Sequence, residues 1–469
     1  MKILVPLLTI LCLLFSRIVQ ANDDFAFPST PQQLVTETVK IADQYAAMNW
    51  FNGTIEIRYQ GKTILNRSWG LADREHSVQN TAHTLYNLGS IMKHVTATLV
   101  LKHIQNGQLS MDNRLSQFDL GFKPDVAKKI TIRHLLKHTS GLPDIFIAKY
   151  RENQLAYDTL EKRLSLLIDT DLLFEPGTDR RYSNYGYVVL AAILEKRTGQ
   201  DFTSLIYDHI FTPLGLENSF YPYPDGNERL SKRYTFTHDS QQKFVGKTEH
   251  HGPDGGIEAT TSDILDFYTA LYKSDRFLDR KNPDNLDYFK FNREAFGAFG
   301  GGAGVSTAVE LDLKNDYQIA VLSNSDQLVA ERISGRLMKF IKTGHYTKPQ
   351  LPPVAYAFKQ YKKMGLEKYR ASFRDQYKKD GYRQFIGRTL NELALSLAKD
   401  QSWDDAFHII KTLDHYFPKH QQVYDSIAYI HFLKGETDKA QEAFKMALQF
   451  KPDYKSNYSQ SGYGLMKKP

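Results

Sequence analysis

Ser90-Ile91-Met92-Lys93 (S-I-M-K) is the stretch on which the interpretation of this chain depends. Apolar residues follow it at roughly helical spacing until a glycine, so the sequence predicts a helix over residues 91–106. Ser90 then lies in the first turn, and Lys93, three residues later, returns to the same face. A neutral amine there could take the hydroxyl proton, and a helix N-terminus favours negative charge on the oxygen.

The S-x-x-K spacing carries little weight by itself. It recurs at Ser240/Lys243 and at Ser396/Lys399, because serine and lysine are common in this chain. Further motifs around the first copy are therefore needed before a catalytic role is assigned to it.

A second motif, Tyr182-Ser183-Asn184 (Y-S-N), lies between a Pro-Gly turn and a new apolar run that begins at Val188. This placement predicts a loop tip. A phenol there can carry a proton, and a nearby amide can hold both a lysine and a substrate carbonyl. The alternative is an ordinary surface loop, which is a real competitor in a chain with 28 tyrosines.

Two more segments decide between these interpretations: H-T-S-G-L-P at residues 138–143, and G-G-I at residues 255–257 followed by T-S-D at residues 261–263. With these motifs in this order, residues from about 35 to 345 resemble the serine β-lactamase and penicillin-binding-protein superfamily. The branch concerned contains class C β-lactamases, DD-peptidases and related esterases. The resemblance implies an α+β fold, a β-lactamase/transpeptidase-like antiparallel sheet flanked by helices.

The resemblance also implies roles for individual residues. Ser90 would be the nucleophile, Lys93 its activating amine, Tyr182 the proton relay and Asn184 an orienting amide. In the family, the oxyanion hole combines the nucleophile's own N–H with an N–H from a glycine-rich strand.

The family places a third motif, K-T-G or H-x-G, immediately before the final β-hairpin. Alternating apolar residues predict that hairpin at residues 305–311 and 317–323. A literal Lys342-Thr343-Gly344 follows the hairpin instead and closes an amphipathic run. We therefore expect this copy to be a helix end, with no catalytic part.

The segment that does precede the hairpin is the glycine-rich run at residues 297–304. The family motif can be aligned with this run in two ways. In the first alignment, Ala298 takes the Lys/His position, Gly300 is the motif glycine and the N–H of Gly301 lies in the oxyanion hole. In the second, shifted by one residue, Phe299 takes the Lys/His position. Neither supplies the cation that helps to bind a substrate carboxylate, a loss worth about 1.5–3 kcal/mol. We expect an ester, amide or other acyl substrate without that carboxylate, unless another residue supplies the charge.

The N-terminus predicts export. Residues 1–21 have the charge, apolar core and small-residue end of a signal peptide, and the apolar run is too short to span a membrane. The only cysteine, Cys12, lies within it, so the mature protein would have neither disulfides nor cysteine catalysis. Removal of Lys2 and Arg17 lowers the formal charge from +7 to +5. No motif indicates nucleic-acid binding, and we expect a periplasmic or secreted protein.

A metal site and a cofactor are not expected. The best candidate for a metal site is His250-His251 beside Asp254. Adjacent histidines on a strand point to opposite faces, and the spacing matches no metal-binding motif.

The composition changes after the predicted hydrolase domain, residues 22–345. A Pro-rich linker is predicted at residues 346–357, helical repeats at 358–455 and a polar tail at 456–469. The repeats have a period of 34 residues, shown by the pairs Ala394/Ala428, Ala406/Ala440 and Pro418/Pro452. They resemble tetratricopeptide (TPR) repeats, which implies an all-α TPR-like domain. Its surface could bind a protein partner or mediate self-association, or the helices could be a packing appendage.

These observations predict a secreted serine hydrolase that acts through an acyl-enzyme on an ester, amide or peptide-like substrate. The alternative, of a different class, is a non-catalytic envelope binding or scaffold protein that keeps the fold and binds partners through its repeats.

Overall fold

The structure, a computed structural model, describes residues 30–456 and residue 458. The predicted signal peptide and nearly all of the predicted polar tail lie outside these residues. No helix in the described part of the chain is both long enough and apolar enough to cross a bilayer.

Antiparallel strands form one central sheet and three small ones. The strands are β1 (Gly53–Tyr59), β2 (Lys62–Trp69), β3 (Leu71–Asp73), β4 (Val78–Gln79), β5 (Tyr86–Asn87), β6 (Ser219–Phe220), β7 (Arg233–Phe236), β8 (Gln242–Val245), β9 (Glu258–Ala259), β10 (Ala295–Gly302), β11 (Val305–Asp312) and β12 (Tyr317–Ser323). The central sheet has the order β10-β11-β12-β1-β2, and the small sheets are β3-β4, β5-β9-β6 and β7-β8. The predicted hairpin before residue 324 is confirmed as β11 and β12.

Helices surround this sheet and then form a region of their own. They are α1 (Pro31–Ala47), α2 (Met92–Gln105), α3 (Pro124–Ala127), α4 (Ile132–Leu136), α5 (Ala148–Glu152), α6 (Leu160–Leu164), α7 (Tyr185–Thr198), α8 (Phe202–Ile206), α9 (Thr212–Leu214), α10 (Thr261–Lys273), α11 (Pro283–Phe289), α12 (Val329–Thr343), α13 (Pro353–Met364), α14 (Leu366–Lys379), α15 (Ile386–Lys399), α16 (Trp403–Tyr416), α17 (Gln421–Leu433) and α18 (Thr437–Phe450). This arrangement confirms the predicted α+β fold with a C-terminal helical region.

Both faces of the central sheet are covered by helices. Helices α1 and α12 cover one face, where α12 contributes Ile333, Leu337 and Ile341 to the core. Helix α10 crosses the other face over β1 and β12. Every residue of β12 is buried in consequence, which explains its continuous apolar run from residue 319 to 322.

The literal Lys342-Thr343-Gly344 lies where the sequence predicts, at the end of a helix. Gly344 has φ +69°, and its N–H donates to the carbonyl of Phe340 (2.8 Å). Glycine adopts this left-handed conformation without strain, so the motif serves as a helix cap.

Two buried helices bring their N-terminal ends together at one edge of the sheet. In α7 every residue from Tyr185 to Leu194 is buried, and α2 is buried over most of its length. A helix that is covered on all sides needs no polar face, which explains the weak helical periodicity of both segments. Ser90 precedes α2 and Asn184 precedes α7, so the packing of the two helices places the two predicted motifs beside each other.

The C-terminal helices have a separate core, with Leu390, Leu397 and Ile410 at its centre. Helix α13 begins at Pro353, inside the range predicted as a linker, and Leu351 packs against both this core and the core beside the sheet. The connection is therefore a packed segment of the protein.

The last four helices form two successive pairs, α15 with α16 and α17 with α18. The alanines that define the 34-residue period are buried: Ala394, Ala406, Ala428 and Ala440. Small side chains at these positions let paired helices approach closely. The TPR-like interpretation of these pairs, and a docking role for them, stay predictions.

Candidate active site

Ser90 lies in a tight turn that packs against the glycine-rich strand. A single 3-10 turn, Gly89–Ile91, continues directly into α2. Gly89 has φ +52°, and a Cβ built on it would lie 2.9 Å from the backbone nitrogen of Gly301. A side chain does not fit at residue 89, so the absence of one lets Ser90 lie close to β10.

Lys93 is a buried lysine at the base of the site, with 3 % of its surface exposed. Its Nζ donates hydrogen bonds to Ser90 Oγ (3.2 Å), Asn184 Oδ1 (2.7 Å) and the backbone carbonyl of Asp254. These oxygens are all neutral, and together they can use the three N–H donors of an ammonium group.

Tyr182 approaches the same serine from the opposite loop. Its Oη donates a hydrogen bond to Ser90 Oγ (2.9 Å), and its side chain is half exposed. The ring of Tyr182 also lies 5.0 Å from Lys93 Nζ. Ser90 Oγ is therefore within hydrogen-bond distance of an amine and a phenol at once.

Asn184 is oriented by an acid that the sequence analysis missed. The backbone N–H of Asn184 donates to Asp144 Oδ1 (2.8 Å), and its Nδ2 donates to Asp144 Oδ2 (3.1 Å). Because Nδ2 is held by the carboxylate, Oδ1 is left to accept from Lys93. Asp144 directly follows the turn at residues 138–143, and an acid in that position was the available signal.

His138 supports Tyr182 and was also missed as a functional residue. The two rings are stacked, with centroids 4.5 Å apart. Burial, followed by the charge of Lys93, lowers the pKa of His138 from 6.5 to about 4. The ring is thus neutral near pH 7, and its Nδ1 accepts a hydrogen bond from the N–H of Ser183 (3.2 Å).

The glycine-rich strand passes directly behind the turn that carries Ser90. A Cβ built on Gly300 would lie 2.0 Å from the carbonyl oxygen of Leu88, so this position requires glycine. Gly301 lines the cleft beside Ser90. Ala298 is buried in the core, whereas the ring of Phe299 is 46 % exposed. Neither Ala298 nor Phe299 is among the described residues that line the cleft.

A buried ion pair forms the far wall of the cleft. Arg163 Nη1 lies 3.4 Å from Asp254 Oδ1, and Arg163 also donates to the carbonyl of His250. His251 Nε2 lies 3.1 Å from Glu258 Oε1. The side chains of His251 and Asp254, two of the three considered for a metal site, are therefore directed to separate protein partners.

These elements enclose a cavity of about 150 Å³. Its lining includes Asn87, Ser90, Arg163, Tyr182, Asn184, Arg233, Glu249, Asp254, Gly301 and Gly302. The predicted Ser90, Tyr182, Asn184 and Gly301 thus line one cleft, Lys93 lies beneath it within hydrogen-bond distance of Ser90, and Gly300 lies behind it.

The sheet flanked by helices and the Ser-Lys-Tyr cluster at its edge define a β-lactamase-like protein of the serine hydrolase type. The chain belongs to the Beta-lactamase family, which matches residues 40–339.

Curated relatives include penicillin-binding proteins and a hydrolase of the cell envelope. The chain is 30 % identical to Penicillin-binding protein 4* of Bacillus subtilis over 244 residues, which are 48 % of this chain and 53 % of that protein. It is 26 % identical to Teichoic acid D-alanine hydrolase of Staphylococcus aureus over 198 residues, 42 % of this chain and 48 % of that protein. The chain therefore spans about half the length of these relatives.

Solved structures show the same fold. A penicillin-binding protein from Bacillus halodurans aligns with a TM-score of 0.58 at 20 % identity, covering 65 % of this chain and 99 % of that one. D-amino acid amidase from Ochrobactrum anthropi SV3 aligns with a TM-score of 0.57 at 20 % identity, covering 66 % and 99 %.

The lowered pKa of His138 predicts a pH-dependent stability. The unfolded chain takes up a proton near pH 6.5 and the folded one only near pH 4, so the free energy of unfolding falls as the pH drops between these values. We expect His138→Gln to reduce this fall, measured by urea unfolding at pH 7 and pH 5. The control, His83→Gln, removes an exposed histidine and should keep the wild-type difference. An unchanged pH difference in His138→Gln would contradict the assignment.

The Asp144 carboxylate predicts a positioning effect on Ser90 chemistry. Asp144→Ala frees the amide of Asn184 to rotate, and hydrogen bonds to a charged group are worth about 1.5–3 kcal/mol. We expect fluorophosphonate labelling of Ser90 to slow by roughly ten- to a hundred-fold. Asp144→Asn, which keeps one acceptor, should recover part of the rate, and Asp158→Ala is the control for loss of an exposed acid. Equal rates in wild type and Asp144→Ala would refute this role.

Proposed function

We propose that the chain is a serine hydrolase that forms an acyl-enzyme on Ser90, with Lys93 and Tyr182 as proton carriers and Asn184 as a substrate-binding amide. The observation that carries the proposal is that Ser90 Oγ lies within hydrogen-bond distance of both Lys93 Nζ (3.2 Å) and Tyr182 Oη (2.9 Å). One group can take the hydroxyl proton while the other passes a proton to the leaving group.

In the acylation step, Ser90 Oγ attacks the substrate carbonyl carbon and neutral Lys93 takes the hydroxyl proton. Negative charge develops on the carbonyl oxygen, where the N–H groups of Ser90 and Gly301 would stabilise it. The bond to the leaving group then breaks, and Tyr182 gives the departing atom a proton, which Lys93 replaces. Water repeats the sequence on the acyl-enzyme, releases the acid and restores the serine.

An ester, amide or peptide-like compound is the proposed substrate. The names of similar proteins support this breadth, since they include an amidase and EstCE1, a hydrolase with promiscuous acyltransferase activity. Ala298 is buried and uncharged, which supports the expectation that a substrate carboxylate is not bound on that side of the cleft.

Export to the bacterial envelope is part of the proposal. The N-terminal 21 residues have the pattern of a signal peptide, and two relatives bear the names of a penicillin-binding protein and a teichoic acid hydrolase. The C-terminal helices would bind a protein partner or a second copy. A penicillin-binding protein homologue from Pyrococcus abyssi with the same fold, TM-score 0.60, is octameric.

Labelling with a fluorophosphonate tests the nucleophile. Peptide mapping should place a single adduct on Ser90, and Lys93→Ala should slow its formation by about 10²–10⁴-fold, the usual value of general-base assistance. Ser240→Ala is the matched control, because Ser240 begins another S-x-x-K sequence and lies outside the cleft. An adduct that persists in Ser90→Ala would overturn the proposal.

Substrate preference tests the consequence of Ala298. Neutral short-chain esters should have a kcat/KM at least about ten-fold above that of penicillins, since no cation replaces the family's Lys or His at that position. Penicillin and its methyl ester should be hydrolysed with similar kcat/KM, because the carboxylate is not used. A strong preference for the free acid over the methyl ester would contradict this expectation.

A further inference from the structure

Arg233 lines the cleft, on the side of the nucleophile opposite to Ala298. Strand β10 passes the turn with Gly301 beside Gly89, and Ala298 lies three residues earlier, roughly 10 Å away at about 3.3 Å per residue. The chain then continues to Gly304 in the hairpin turn. There Arg233 packs so closely that a Cβ built on Gly304 would lie 2.6 Å from its Cβ.

The charge of Arg233 has no ion-pair partner among the described residues. Its guanidinium donates one hydrogen bond, to the carbonyl of Gly246 (3.3 Å). The other cleft arginine, Arg163, is already paired with Asp254. Glu249 also lines the cleft, but it makes no ion pair with Arg233; burial, followed by repulsion from Asp254, raises its pKa, and the charge of Arg233 acts to lower it. The guanidinium therefore has N–H donors that no described protein group accepts from, and Arg233 lines the polar cleft.

The backbone that carries this arginine is held firmly against the central sheet. The N–H of Tyr234 donates to the carbonyl of Asn324 (2.9 Å). The carboxylate of Asp326 accepts from Thr235 Oγ1 (2.6 Å) and from the N–H of Phe236 (2.8 Å). A fixed backbone needs no ordering when the cation binds a ligand, so the entropy cost is confined to the arginine side chain.

We propose that Arg233 binds an anionic group of the substrate, so that the preferred acyl donors carry a carboxylate on the Gly302 side of the reacting carbonyl. This rests on the proposed function. A guanidinium can donate two parallel hydrogen bonds to a carboxylate, which makes the interaction directional as well as charged. The cleft would thus recognise negative charge on the side opposite to the one where the family motif binds it.

Matched esters measure this specificity. The first pair is mono-4-nitrophenyl glutarate and 4-nitrophenyl butyrate, which place the carboxylate in the acyl portion. The second pair is 3-carboxyphenyl butyrate and 3-acetylphenyl butyrate, which place it in the leaving group. For each pair, the ratio of kcat/KM for the anionic to the neutral ester is compared between wild type and Arg233→Gln. We expect Arg233→Gln to lower the ratio by roughly ten- to a hundred-fold in one pair, which identifies the portion that carries the charge.

Two further variants separate a specific contact from a general field effect. Arg233→Lys keeps the charge and should retain part of the preference. Lys243→Gln removes an exposed cation from the paired strand β8 and should leave both ratios unchanged. If Lys243→Gln lowers the ratio as much as Arg233→Gln does, the effect is general electrostatics and the proposal is wrong.

The remaining outcomes are also decisive. If Arg233→Gln leaves both ratios unchanged while Ser90 still reacts with a fluorophosphonate, the arginine proposal fails and the proposed function stands. If Ser90 does not react, the proposed function itself fails. Should ester turnover be too slow to measure, labelling rates with a carboxylate-bearing and a neutral fluorophosphonate report the same ratio.

Discussion

The cleft depends on one buried amine and the three neutral oxygens that bind it. Lys93 is 3 % exposed, and its Nζ reaches Ser90, Asn184 and the carbonyl of Asp254, which belong to three separate segments. Loss of one of these partners would leave a buried polar group unsatisfied, at a cost of about 1–3 kcal/mol. The turn that carries Ser90, the start of α7 and the loop at residues 250–256 are therefore fixed relative to one atom, Lys93 Nζ.

Asp254 can contact both Arg163 and Lys93 because its carboxylate and its carbonyl face different partners. The carboxylate lies 3.4 Å from Arg163, while the carbonyl accepts from Lys93. Arg163 is 3 % exposed and also donates to the carbonyls of Tyr157 and His250, so the loop is held from behind. The carbonyl orients the amine of Lys93 without placing a full negative charge beside it.

Local signals in the sequence predict much of the fold and part of the site. The hairpin of β11 and β12, the helix cap at Gly344 and the spacing of Ser90 and Lys93 each depend on residues close together in the chain. Asp144, His138 and Arg233 could not be assigned in this way. Their contacts, 3.1 Å from Asp144 to an amide forty residues away for example, join segments that are far apart in the chain and arise only in the folded protein. The register of β10 could not be assigned from sequence, because half of its residues are glycine and the strand has no alternating pattern of side chains.

The hairpin of β7 and β8 connects the cleft to the C-terminal helices. Near its tip, His238 Nδ1 lies 3.0 Å from Ser396 Oγ, and its ring meets that of Phe358 edge-on at 4.7 Å between centroids. Burial lowers the pKa of His238, so these contacts are made by a neutral ring at pH 7. A two-stranded hairpin is only marginally stable alone, and this one is supported by the sheet at its base and by the helices at its tip. Since Arg233 lies at the base, the C-terminal helices help to fix the geometry of the cleft although they line no part of it.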